Sequence, residues 1–252
     1  MSEFFCRSEV LLGEEVMSEL RRVRVILFGV GGVGSWCAEA LIRTGLQHLT
    51  IVDGDVVQES NINRQLPATR ETIGQPKVEA LKARLLTINP EAEIEAIYSM
   101  YQPSPCPSLK VGDNNKFFPT GEDFGEALSE YDYVIDAIDD VAAKTDLILK
   151  CTRTRGVKIF SSMGAALRFD PTQVTTGELM SIHGDALAKA VRARMKRLNR
   201  RPYRKVKCVY SAEQAQKCEA RGSLMPVTAV FGCTLASMVI DDIRKGVQKN
   251  AE

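Results

Sequence analysis

Gly29, Gly31, Gly32 and Gly34 crowd one short stretch, and Asp53 follows them. Such glycines let the backbone bend tightly and bring amide N–H groups against phosphate oxygens with no Cβ in the way. An acid ~20 residues further on stands where a nucleotide's ribose hydroxyls would lie. Beyond it come Asp55, then Asn61, Arg64 and Gln65 within Ser60-Asn61-Ile62-Asn63-Arg64-Gln65, then Lys77 closing Gly74-Gln75-Pro76-Lys77. An amide, a guanidinium and an ammonium placed so soon after the acid suit the negative charge that must be offset when a triphosphate is attacked. A nicotinamide carrier has little use for them, although a lone GxGxxG would fit one.

The elements around these residues read as a Rossmann-like α/β fold, a doubly wound and mostly parallel sheet. Val23 to Phe28 is a buried strand, Val33 to about Thr44 a helix, and Leu49 to Val52 a second strand ending at Asp53. Lys77 to Ile88 has helical spacing, with Val78, Leu81, Leu85 and Ile88 on one side. Lys77 opens that helix, where a cation opposes the helix dipole, so a purely structural role suits it poorly. Glu93 to Tyr98, Tyr133 to Ala137 and Val157 to Ser161 read as strands, and Glu122 to Ser129 as a short helix. Ligands bind past the C-terminal ends of such strands. Asp139 lies there and is expected to hold Mg²⁺, with Asp140 capping the next helix and Lys144 reaching a phosphate. Leu11 to Leu20 reads as an N-terminal helix, with Arg7 just before it. Pro103 to Gly121, with its four prolines and two glycines, reads as a surface loop, and Cys106 within it as incidental.

Taken together, GxGGxG, D-x-D, SNxxRQ, GxPK and the Asp136-Ala137-Ile138-Asp139-Asp140 run resemble the adenylating domain of the ubiquitin-activating-enzyme-like (ThiF-type) superfamily. The resemblance covers Arg7 to about Ser162. It implies ATP with Mg²⁺, and attack of a carboxylate on the α-phosphorus. It implies a homodimer in which Arg7 reaches the partner's nucleotide site. From Met163 onward, Met163-Gly164-Ala165-Ala166, Phe169-Asp170-Pro171-Thr172, the run from Gly184 to Arg192 and the run from Lys205 to Glu213 resemble one branch, the tRNA threonylcarbamoyladenosine dehydratases. That branch implies ring closure of a modified adenosine beside the anticodon. It leaves room for a monovalent cation and for a sulfur-transfer partner protein.

The chain of 252 residues then reads as one adenylating domain, with an ATP-binding core at 1–162 and an α+β extension at 163–252 for tRNA binding and dimerisation. The charge of the extension agrees. Ten Lys or Arg and no acid lie between Lys189 and Lys207, so against a formal net charge of +1 the remainder carries −9. Leu187, Val191, Met195 and Leu198 form an apolar stripe, while Lys189, Arg192, Lys196, Arg197, Arg200 and Arg201 form a cationic ridge. A ridge without interleaved acids can neutralise successive phosphates, and Tyr203 can stack on an RNA base.

Pro226 to Arg244 reads as a buried helix whose apolar part stops at Asp241-Asp242, too short for a membrane span. The N-terminus has no basic region followed by a long apolar core, so no secretory signal is expected. Seven scattered cysteines suggest reduced thiols in a cytoplasm, and without a C-x-x-C pair no structural zinc is expected. Cys208 and Cys218 could face the site, while Cys37 and Cys233 sit in core helices; intramolecular ring closure needs no thioester. Three other readings remain: an activator of a ubiquitin-like sulfur carrier, a non-enzymatic docking module, and a nicotinamide oxidoreductase.

Overall fold

The computed structural model describes residues 3–103, 123–218, 220 and 222–251. Cys106 and most of the Pro103 to Gly121 stretch lie outside them. The chain begins with two helices, α1 (Cys6–Leu12) and α2 (Glu14–Arg22), where one was expected. Gly13 separates them at φ 82°, a left-handed conformation that breaks a helix and suits glycine. Arg7 therefore sits inside α1 rather than ahead of a helix.

Then follow β1 (Arg24–Phe28), α3 (Gly34–Thr44), β2 (His48–Asp53), α4 (Lys77–Ile88) and β3 (Glu93–Tyr98). After these come α5 (Asp123–Leu128), β4 (Tyr133–Asp136), α6 (Val141–Cys151), β5 (Lys158–Ser162) and β6 (Val174–Glu178). The chain ends with α7 (Ala186–Arg197), β7 (Lys207–Ser211) and α8 (Met225–Ala251). Seven strands form one sheet in the order β3-β2-β1-β4-β5-β7-β6. All pairs are parallel except β6 with β7. The order reverses between β1 and β4, and a crevice opens beyond the strand ends at such a switch point.

The central strands are near-continuous apolar runs because helices cover both faces of the sheet. Val25 and Leu27 face one core with Cys37, Leu41 and Phe231, and Ile26 and Phe28 face the other with Leu147 and Ile148. Residues 163–252 do not form a separate layer, since β7 extends the sheet beside β5 and α8 packs along α3. The close approach of α8 falls at Gly232, where a Cβ would run into the Val33 carbonyl and Trp36. From Met225 to Lys249 that helix is long and apolar enough to cross a membrane, but half of it is buried in the fold. Val227, Phe231, Leu235 and Val239 are all at 0% exposure, so its apolar side is already spent on the core.

Two expectations fail on packing, those for Leu198 and Cys208. Leu198 closes α7 as its C-cap and is 48% exposed, outside the apolar stripe. Cys233 sits in the core helix α8 as expected, on its exposed side. Cys208 is fully buried in β7, its S–H against the Val206 carbonyl, and burial drives its thiol far above the ordinary value.

Candidate active site

The glycine turn is set by close approaches. Gly29 has φ 86°, and a Cβ there would press on the Ala137 carbonyl at 2.8 Å. A Cβ on Gly34 would collide with the Gly29 carbonyl oxygen. Gly34 thus serves the bend and faces away from the crevice. Gly31 and Gly32 line the opening, where their bare backbone leaves room beside Gln65 and Arg64. α3 starts here with no acid in its first turn, so its positive end is open to an anion.

The crevice holds about 750 Å³. Its β2 side carries Asp53, whose carboxylate accepts the Val30 N–H at 2.8 Å and the Asp55 N–H at 2.9 Å. Burial pushes the Asp53 pKa up, against the pull of the Lys77 ammonium and these backbone donors. Lys77 is buried at the start of α4 and donates from Nζ to Asp55 Oδ2 at 2.6 Å. Arg64 donates from Nη1 to the Ser60 carbonyl and the Asn63 side chain, both at 2.9 Å. Its backbone is pinned to α3, since Trp36 Nε1 donates to the Arg64 carbonyl at 3.1 Å. Gln65 is buried, and its Oε1 has no hydrogen-bond partner among the described residues. A buried amide oxygen left unpaired beside an open crevice is a place for a ligand donor.

Not every expected residue faces this space. Asn61 is buried away from the crevice lining and accepts the Gln58 N–H, stabilising the loop that carries Arg64. Arg7 is exposed on α1 and does not line this chain's own crevice. Lys144 does not reach a phosphate. It is 0% exposed, donating to Asp136 Oδ2 at 2.7 Å and Ser161 at 3.2 Å behind the crevice wall. Asp136 in turn accepts the Ile138 N–H at 3.1 Å, so this buried trio shapes the loop that presents Asp139. Asp140 caps α6 by accepting the Ala143 N–H at 2.7 Å. Asp139 is exposed in the crevice wall.

No cluster of three metal-ligating side chains exists among the described residues. Asp139 alone fits Mg²⁺ of the kind bound through one or two carboxylates with phosphates and water completing the shell. Trp36 and Arg168 carry no role in the sequence reading, and the pairing of Lys144 with Asp136 and Ser161 replaces the phosphate contact expected of Lys144. Each acts through a partner far along the chain, which spacing does not reveal.

On the cationic ridge, Lys196, Arg197, Arg200 and Arg201 are exposed, while Arg192 spends part of its guanidinium on the Leu179 carbonyl at 2.9 Å. Lys189 is also exposed. Arg204, within the same basic run, is structural: it donates to the carbonyls of Cys151, Thr152, Thr154 and Val157. Tyr203 is 80% exposed beside the ridge.

A glycine cradle at the switch point, with Arg64 and Lys77 beside it and Asp139 across from them, defines an adenylating enzyme of the ubiquitin-activating type. The chain belongs to the ThiF family, which matches residues 5–250. It is 40% identical over 195 residues to the tRNA threonylcarbamoyladenosine dehydratase of Bacillus subtilis (strain 168), covering 77% of this chain and 69% of that one. It is 32% identical over 249 residues to the enzyme of the same name from Haemophilus influenzae, covering 91% and 88%. The solved structure of the E. coli enzyme in complex with ATP superposes with a TM-score of 0.85 at 31% identity, covering 98% of this chain and 96% of that one.

Proposed function

We propose that this protein uses ATP to close the threonylcarbamoyl side chain of a tRNA adenosine, next to the anticodon, into a ring with net loss of water. The observation that carries this is the crevice itself, a backbone cradle for phosphates with two cations beside it, in a chain that matches enzymes of that name along most of its length. The substrate carboxylate needs no general base, because its ordinary pKa of about 4 leaves it ionised at neutral pH. It attacks the α-phosphorus and pyrophosphate leaves. The carbamoyl oxygen or nitrogen then attacks the acyl carbon, and AMP departs with one of the carboxylate oxygens.

The protein's share is positioning and charge. Gly31 and Gly32 give the phosphates backbone access, Asp53 takes the ribose hydroxyls, and Gln65, Arg64 and Lys77 hold the phosphate chain. Mg²⁺, held at Asp139, would offset phosphate charge. That help is needed, because the crevice is lined by five carboxylates (Asp53, Asp55, Asp139, Asp140, Asp185) against three cations (Arg64, Lys77, Arg168). A triphosphate adds further negative charge. Arg7 from a second protomer would supply one more cation. Phe4, Val10 and Leu11, exposed at 78%, 90% and 84%, form an apolar face beside it that a homodimer would cover. The ridge along α7 and just past its end would carry the tRNA, and the free thiols of the six described cysteines fit a cytoplasmic enzyme.

Oxygen labelling tests the chemistry. Modified tRNA with ¹⁸O in the threonyl carboxylate should yield AMP carrying one label. Unlabelled AMP, or release of ADP and phosphate, would remove carboxylate adenylation.

A further inference from the structure

The crevice extends past the nucleotide cradle, and its far wall is the turn after β5 together with the start of α7. Arg168 projects from that turn and is only 3% exposed. Its Nε and Nη1 find no acceptor among the described residues. The carboxylate beside it is Asp185, at 3.7 Å from Nη2, too far for a hydrogen bond. Both Asp185 oxygens are already engaged, Oδ1 by the Ala188 N–H at 2.8 Å and Oδ2 by the Gly164 N–H at 3.1 Å. Asp185 therefore tempers the charge without satisfying the donors. Burying a guanidinium with idle N–H groups is costly, and an anionic ligand that enters the crevice removes that cost.

Two classes of anion belong to the reaction, phosphate and carboxylate. The cations beside the phosphate cradle stand on the β2 side of the switch point, whereas Arg168 comes from beyond β5 on the other side. Around it Gly164, Ala186, Leu187 and Ala190 give a small, largely apolar wall that suits a short amino-acid side chain. A backbone phosphate of RNA is bulky and would meet exposed cations rather than this one.

Building on the function proposed above, we infer that Arg168 binds the carboxylate of the substrate's threonyl group. One carboxylate oxygen lies against the guanidinium while the other faces the α-phosphorus. After pyrophosphate leaves, the same N–H groups meet the acyl carbonyl oxygen as charge builds on it during ring closure. A planar guanidinium suits this better than an ammonium, because it presents several fixed donors to a planar acid.

The test uses full-length protein and three RNAs: unmodified tRNA, tRNA carrying threonylcarbamoyladenosine, and that modified tRNA with its carboxylate capped as a methylamide. Binding is measured with a non-hydrolysable ATP analogue present. The wild-type protein should prefer the free acid over the methylamide by about 10- to 100-fold, the range of a charge-assisted hydrogen bond. Arg168→Gln should bind the two equally, with unchanged affinity for the ATP analogue and for unmodified tRNA. Arg168→Lys, which keeps the charge and guards against a folding failure, should retain part of the preference. Equal wild-type binding of acid and methylamide overturns the inference. So does full preference in either variant, or a parallel loss of nucleotide affinity. Wild-type turnover of the uncapped modified tRNA, run alongside, tests the parent function separately: turnover with an unaltered preference in Arg168→Gln removes this inference alone.

Discussion

Lys77 and Lys144 show how one side-chain type takes opposite roles at the start of two helices. Lys77 lines the crevice and, among the described residues, pairs only with the half-exposed Asp55, so a phosphate can claim it. Lys144 is sealed between Asp136 and Ser161 with no surface at all. The sequence places both in the first turn of a helix, but only packing tells which one faces the crevice. Lys77→Ala is expected to lower kcat/KM about 100- to 1,000-fold, the usual cost of one preorganised charge contact. Its melting temperature should barely move, since the partner carboxylate remains half exposed. Steady-state kinetics with thermal denaturation checks both. Asp53 gives a pH signature. Its folded pKa is raised by burial, so its ionised form costs the fold some stability. The stability that goes with its protonated form is present below the ordinary carboxylate range and is lost as pH rises through the raised value. Asp53→Asn should flatten this slope in denaturant titrations across pH and should weaken ATP binding. A cysteine intermediate is not expected, because Cys208 is buried with its thiol strongly disfavoured as thiolate. The double change Cys208→Ala with Cys218→Ala should leave single-turnover ring closure within about twofold, the change being remote from the preorganised charges.

At the scale of elements, what the sequence made legible was local. Strand β3 and helix α4 begin and end where their periodicity does, because Glu93–Tyr98 and Lys77–Ile88 carry clear apolar spacing. The split of α1 from α2 escaped, since a single Gly13 is tolerated inside many helices and only its backbone angle breaks this one. The ridge on α7 was half legible. Lys189, Lys196 and Arg197 are exposed on the helix as spacing predicts, but α7 ends at Arg197 and Asn199 turns at φ 50°, so Arg200 and Arg201 lie past its end. Lys196→Glu with Arg200→Glu should weaken tRNA binding at least tenfold and reduce its salt dependence, while ATP affinity stays unchanged. Filter binding across salt concentrations reads both. At the contact between α3 and α8, Gly232→Ala should cost about 3 kcal/mol or more, because its methyl would meet backbone rather than a yielding side chain. Chemical denaturation measures it.

At the scale of the molecule, the charge of the crevice argues for more cations than one protomer supplies. In the proposed homodimer, Arg7 and the exposed apolar residues of α1 would be shared with a second copy. Mixing inactive Arg7→Ala and Lys77→Ala proteins should then restore about a quarter of wild-type activity, since half of randomly paired dimers are mixed and each holds one intact site. Wild-type-like activity in Arg7→Ala alone would rule the sharing out. In the proposed reaction, cations beside the glycine bend stabilise the cleavage of ATP between its α and β phosphorus by a tRNA-borne carboxylate. Pyrophosphate release measures this directly, with modified tRNA, unmodified tRNA and a carrier protein ending in Gly-Gly offered in turn. Release with modified tRNA alone is the expected result, and release with the carrier alone would show that the enzyme activates a protein instead.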